Sequence, residues 1–327
     1  MTEPHGIRCA FLTTDDLEGY VVDDRYAADP LRDRGWTVEE VAWDDAEVEW
    51  EAFDVVVIRS TWDYHHRLEA FLDVLSEIDR SGATLFNALP FVRWNARKTY
   101  LRALGRAGIE VVPTAWRERL EEGELEELFD ELRSGEIVVK PVVGAGADDL
   151  FRISRSGQGT ASRVLKDELR RDGRSSPDEE DRSLRDDVEA TFADRPLLAQ
   201  PFLSEIVEDG EYSLCYFGGR FAHAVRKEPA DRDFRVQEER GAKILPADPD
   251  RTLIDWGGRV IDTTVELVEG VSRPPLYARV DLVRTGRGPL LMELELIEPA
   301  LYFRVHPPAG EQFADVLEGR CRSIERA

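Results

Sequence analysis

An open α/β domain followed by α+β subdomains is the architecture this sequence predicts, and three observations carry the prediction. Residues 1–89 alternate short apolar, β-branched runs with helical segments, the mark of a parallel sheet covered on both faces. Residues 204–327 switch to long strands of period two, which read as an antiparallel sheet. Between them, residues 90–203 carry helices and a strand that runs into a glycine-rich loop, "EIVVKPVVGAGADD".

In the first part the expected order is strand 7–12, helix 24–34, strands 38–41 and 55–58, helix 66–78 and strand 84–86. Open sheets of this kind bind ligands beyond the carboxyl ends of their strands, so residues 13–15 and 59–64 mark a candidate cleft. A helical region over 90–107 closes at Gly108, with a strand around Val111, a helix over 122–133 and a strand over 137–139 after it. Residues 154–194 read as two charged helices around "DGRSSPDEEDR", a solvated insertion too poor in apolar residues to pack a core. Strands over 211–217, 220–226, 277–283 and 289–297 and helices over 253–267 and 312–324 complete the chain.

The 327 residues are 42% apolar, enough to bury cores without staples. With 67 acidic against 43 basic residues the net charge is -24, which repels nucleic acid and anionic lipid. The start is polar and no apolar run approaches the ~20 residues of a spanning helix, so a soluble, cytoplasmic protein without a membrane partner is expected. Cys9, Cys215 and Cys321 are widely spaced and read as buried free thiols. Five lysines stand beside 38 arginines. An acidic, arginine-based surface fits a halophilic protein, because salt of about 1 M screens charge within a few ångströms, and equally fits an ordinary acidic cytosolic protein.

Against that scarcity, Lys140 ends a strand just before Gly144 and Gly146. A glycine turn exposes backbone N–H groups that can wrap phosphates, and a compact ammonium suits the same ligand; a strand ending in a snorkelling lysine gives the same pattern. No GxxxxGK[ST] run is present, which excludes a Walker loop. Lys98 is a second lysine kept among arginines, by use or by chance. Alternation sets Arg279 and Asp281 on one strand face and Glu293 and Glu295 on another, and the turn "RTGRG" folds the two together. Such carboxylates suit Mg²⁺ or Mn²⁺ if buried, and are ordinary solvent-facing acids if not. The run "PLLAQPFL" is an apolar strand whose end, Gln200, Pro201, Phe202 and Leu203, suits a flat heterocycle or simply a core strand stopped by proline. In "RSTWDYHH", Arg59 is a candidate partner for a substrate carboxylate with Trp62 or Tyr64 as an apolar wall; a helix start capped by Asp63 with Trp62 in the core explains the same letters.

Taken in order, these features resemble the ATP-grasp superfamily of carboxylate-amine ligases, in its RimK-like and bacterial glutathione-synthetase-like branch. "VVIRSTWDYHHR" and "ELELIEP" further resemble a smaller ATP-grasp group that includes the cycloserine-forming cyclo-ligase. The resemblance implies two α+β subdomains that clasp ATP behind an N-terminal domain, with boundaries at 1–89, 90–203 and 204–327. It assigns Lys98, Lys140, Gly144 and Gly146 to the phosphates, Gln200 to Leu203 to adenine, and Glu208, or Glu205 in a shifted register, to ribose. Asp281, Glu293 and Glu295 would hold magnesium or manganese, Arg279 and Arg226 would be catalytic, and Arg235 and Gln237 would meet phosphate or intermediate. Glu295 and Gln237 stand where the family usually carries Asn, and "IEPAL" departs from N-x-x-P-G. The implied activity is ATP-dependent joining of a small carboxylate to an amine or other nucleophile through an acyl phosphate. An ATP-grasp kinase and a nucleotide-binding module without turnover are the rivals, and a homodimer is left open.

Overall fold

The computed structural model describes residues 6–121, 123–155, 159–162, 177–230 and 234–324. They fall into two compact units, one made of residues 1–110 and 205–327 and one of residues 111–204.

The first unit begins with β1 (Arg8–Thr13), α1 (Arg25–Asp33), β2 (Thr37–Ala42), β3 (Val55–Ser60), α2 (Leu68–Ser81) and β4 (Thr84–Phe86). The strands pair in parallel in the order β2-β1-β3-β4, as their unbroken β-branched runs require. Two short helices follow, α3 (Leu89–Asn95) and α4 (Tyr100–Arg106), in place of the single helix expected over 90–107. Lys98 lies in the break between them.

Residues 111–204 form the second unit: β5 (Ala115–Arg117), α5 (Glu124–Leu132), β6 (Glu136–Pro141), β7 (Leu150–Ser154), β8 (Gly159–Ser162), α6 (Pro177–Phe192) and β9 (Leu197–Pro201). Its sheet is antiparallel in the order β5-β9-β6-β7-β8, and the strand expected around Val111 is reduced to a single bridging residue there, with β5 starting four residues on. One expectation is corrected here. The charged insertion was expected to pack no core, yet Leu184, Val188 and Phe192 recur every four residues along α6 and are buried with Phe129 and Phe151. The other expected helix lies outside the described residues, over 163–176.

The first unit resumes with α7 (Glu205–Glu208), β10 (Glu211–Phe217), β11 (Arg220–Glu228), β12 (Lys243–Ala247), α8 (Arg251–Leu267), β13 (Tyr277–Thr285), β14 (Gly288–Glu295) and α9 (Pro308–Ile324). These strands form an antiparallel sheet ordered β12-β11-β10-β13-β14, in which β12 was not anticipated. Asp250 caps α8 by accepting the Leu253 N–H at 2.9 Å. Helix α9 packs against α1, and Gly310 is required there because a Cβ would run into the Tyr26 carbonyl. Phe313 on α9 meets Phe11 of β1, Phe217 of β10 and Tyr277 of β13 in one core. Residues from the segments 1–89 and 204–327 share this hydrophobic interior. All three cysteines are buried, and none of them forms a disulfide.

Candidate active site

The register of the antiparallel sheet of the first unit sets one polar face. Arg279 lies opposite Glu295 and Asp281 opposite Glu293 across β13 and β14, as alternation predicts. On the other side Ser213 lies opposite Asp281, and Glu211 opposite Lys227. Arg279 forks onto both oxygens of Asp281 at 2.9 to 3.1 Å, reaches Glu295, and donates to the Ala300 carbonyl at 3.0 Å. Lys227 bridges Glu211 at 2.8 Å and Asp281 at 3.4 Å, and Lys98 pairs with Glu293. Burial opposes the charge of Asp281, but Arg279 and Lys227 outweigh it and hold that carboxyl well below the usual range. At Glu295, burial dominates and pushes the carboxyl up, with Asp281 and Glu293 adding to it. The same burial, with Glu295 nearby, pushes Glu298 up to about 8.

Arg226 is not brought into this cluster. It lies opposite Tyr212, one residue out of phase with the polar face, and pairs with Glu228 and Asp209 at a half-exposed surface. Lys227, the next residue, is buried and points to the polar face opposite Glu211. Counting parity back from the Asp281–Ser213 row would have found it. Glu298, 8% exposed, is a second residue that the sequence reasoning missed. Glu208 is exposed on α7, and the Gln237 Oε1 is buried without a partner.

Beyond β14 the chain is irregular, and five successive carbonyls are each held by a side chain. Ile297 accepts from the Tyr277 hydroxyl at 2.8 Å, Glu298 from the Trp62 indole at 3.0 Å and Pro299 from Arg59 at 3.5 Å. Ala300 accepts from Arg279 at 3.0 Å, and Leu301 from the His223 Nε2 at 2.8 Å. Tyr302 then adopts a left-handed φ of 50° under the Arg279 and Lys227 cations. Arg59 is itself gripped by Asp24 at 2.8 to 2.9 Å, and its Nη1 is buried with no partner among the described residues. The Thr61 hydroxyl, two residues on, is buried and equally unpartnered. Trp62 is half-buried and stacks on Tyr20 at 4.9 Å, whereas Tyr64 is a core residue packed on Phe71.

The second unit carries the lysine and glycine loop. Lys140 is buried at the end of β6, opposite Leu198 of β9. Gly146, Ala147 and Asp149 all take positive φ, between 50° and 63°, in the loop between β6 and β7. Gly144 is tight, since a Cβ would meet Pro141 at 2.8 Å. Gln200 is buried in β9 and donates to the Thr114 hydroxyl at 3.0 Å; Phe202 donates its N–H to the Glu136 carbonyl and lies under the Arg152 guanidinium. Leu203 follows Phe202 at the half-buried end of this run.

The donor chemistry of the β13–β14 face fits a divalent cation. Glu211, Asp281, Glu293 and Glu295 meet Lys98, Lys227 and Arg279, so four carboxylates face three cations and carboxylate is in excess. Asp281 is already saturated by hydrogen bonds, which leaves Glu293 and Glu295 as the readier oxygen donors.

A family model described as the N-terminal domain of D-cycloserine synthetase DcsG matches residues 9–87. The cycloserine biosynthesis protein DcsG of Streptomyces lavendulae is 28% identical over 296 residues, covering 88% of this chain and 90% of that protein. The crystal structure of D-cycloserine synthetase DcsG superposes with a TM-score of 0.77 at 26% identity, covering 96% of this chain and 99% of the other. A D-alanine–D-alanine ligase from Bacillus anthracis, complexed with ATP, shares the fold with a TM-score of 0.59 at 12% identity, covering 98% and 99%. A RimK domain ATP-grasp protein from Sphaerobacter thermophilus does so with 0.59 at 16%, covering 95% and 99%.

Proposed function

We infer that this chain, an ATP-dependent ligase of the ATP-grasp fold and similar to cycloserine synthetase, joins a small amino-acid-like carboxylate to an amine through an acyl phosphate. The observation that carries the reading is the buried Arg279, held by Asp281, Glu295 and the Ala300 carbonyl on a face rich in carboxylate. A guanidinium so fixed cannot reorganise, and preorganised charge is what stabilises a developing oxyanion. Lys140 and the backbone donors around Gly144 and Gly146 suit a triphosphate, and the apolar run from Gln200 to Leu203 suits the adenine. Lys98 would exchange Glu293 for a phosphate oxygen. Magnesium or manganese, held by Glu293, Glu295 and Asp281, would supply neutralisation of phosphate charge. Arg59, anchored by Asp24 and with Nη1 unpartnered, would take one oxygen of a substrate carboxylate, with Trp62 and Tyr20 as the wall. Arg235 and Gln237 remain assigned to the intermediate on resemblance. Among the described residues no helix is long and apolar enough to cross a membrane, which agrees with a cytoplasmic enzyme. The acidic, lysine-poor surface supports activity in concentrated salt.

The test is ADP and phosphate release from Mg²⁺-ATP, from low to multimolar KCl, with pools of D- and L-amino acids, diamino acids and aminooxy acids. Release that needs a pool and is lost in Lys140→Ala is expected, with the new C–N bond identified by mass spectrometry. Nucleotide binding without pool-dependent release would refute turnover.

A further inference from the structure

Glu298 is the last acid of the run "ELELIEP", to which no role has been assigned, and its surroundings are unusual for a carboxylate. It is 8% exposed, and among the described residues its carboxylate is met by its own backbone N–H and by no other hydrogen bond or ion pair. A buried acid left so is costly unless a ligand completes it. It lies off the β13–β14 ladder that carries Asp281, Glu293 and Glu295, on the irregular segment whose carbonyls are held one by one. The donor to its own carbonyl is Trp62, and the donor to the next is Arg59, so its backbone is built into the wall beside the two unpartnered polar atoms, Arg59 Nη1 and Thr61 Oγ1. The donor to the carbonyl after that is Arg279. The Glu298 backbone is thereby followed, carbonyl by carbonyl, by the residue held by the guanidinium that suits a substrate carboxylate and the residue held by the guanidinium that suits the oxyanion. The charged and titratable groups acting on it are Glu295 of β14, Lys98 between α3 and α4, and Arg279 of β13, while Tyr64 and Tyr277 respond to its charge.

We propose that Glu298 is the catalytic residue that holds the attacking amine and receives its proton. The proposal rests on the ligase reading. The amine lone pair forms the C–N bond at the acyl carbon, the C–O bond to phosphate breaks, and phosphate leaves with that electron pair. The proton released from nitrogen passes to a Glu298 oxygen and from there to solvent. Arg279 steadies the oxyanion during the same step, which explains why one short segment ties both side chains down.

Hydroxylamine separates this role from the others, because it is unprotonated near neutral pH and traps an acyl phosphate without an enzymatic base. Wild type and Glu298→Gln are compared in Mg²⁺-ATP with the amino-acid pools above, measuring amide by mass spectrometry and hydroxamate by its iron(III) colour. The expected result is hydroxamate formation within about threefold of wild type and amide formation lower by about a hundredfold or more. Glu298→Asp, which keeps the carboxylate, is expected to recover part of the amide and the fall of its rate with acid. Equal loss of both products would overturn the proposal in favour of a metal-binding or purely structural carboxylate, and retention of both would overturn it outright. Absence of hydroxamate from wild type itself would overturn the ligase reading, and this inference with it.

Discussion

His223 makes the stability of this protein depend on pH in a direction that the structure sets. Its Nε2 faces the Leu301 carbonyl at 2.8 Å, so that nitrogen carries the proton, and its Nδ1 is buried without a partner. His306 stacks on it at 5.3 Å, and burial, aided by that neighbour, pushes its pKa down to about 4. The unfolded chain, with an ordinary value near 6.5, therefore binds the proton more readily than the folded one. The contribution of neutral His223 is full above pH ~6.5 and is lost progressively as the pH falls toward 4. A shift of roughly two and a half units corresponds to about 3 kcal/mol over that window. Urea unfolding of wild type and His223→Gln between pH 7.5 and 4 measures it. Glutamine can still donate to Leu301 and cannot titrate, and the carboxylates common to both proteins cancel in the difference. The stability of wild type relative to the variant is expected to drop by about 3 kcal/mol from pH 7.5 to pH 4. A difference that stays constant across the window would refute the argument.

Arg279→Lys keeps the charge but loses the fork on Asp281, and ADP formation should fall by about a hundredfold with nucleotide binding retained; unchanged turnover with chemistry rate-limiting would count against the assignment. Glu293→Gln should raise the Mg²⁺ needed for half-maximal ADP formation by roughly tenfold or more, and an unaltered Mg²⁺ titration would remove Glu293 from the metal set. Phe313→Ala, at the centre of the rings of Phe11, Phe217, Tyr277 and Phe303, should lower unfolding free energy by about 3–5 kcal/mol, read by urea denaturation.

What could be read from sequence was what period alone determines. The parallel sheet followed from β-branched runs, and the facing of Arg279 and Asp281 with Glu295 and Glu293 followed from alternation across a turn. Lys227 was not found because its inward position depends on the pairing of β10 with β11, which a single strand does not disclose. Helix α6 was misjudged because three apolar side chains every fourth residue suffice to bury one stripe even in a heavily charged segment. The clamped carbonyls from Ile297 to Leu301 were invisible for a different reason. Their donors stand up to 240 residues away, and side-chain bonds to backbone leave no local pattern. Glu298 was missed with them.

The return of α9 to the first sheet has a consequence for biosynthesis. Phe11 and its neighbours on β1 emerge from the ribosome roughly 300 residues before Phe313 does, which at typical elongation speeds is a delay of about 15–60 s. During that interval a parallel sheet with an apolar face has no cover, while residues 111–204, contiguous in the chain, can complete their own core as soon as they are made. The nascent chain thus carries a finished middle and an open beginning, and its yield in a cell will respond to translation speed and to chaperones more than its final stability would suggest.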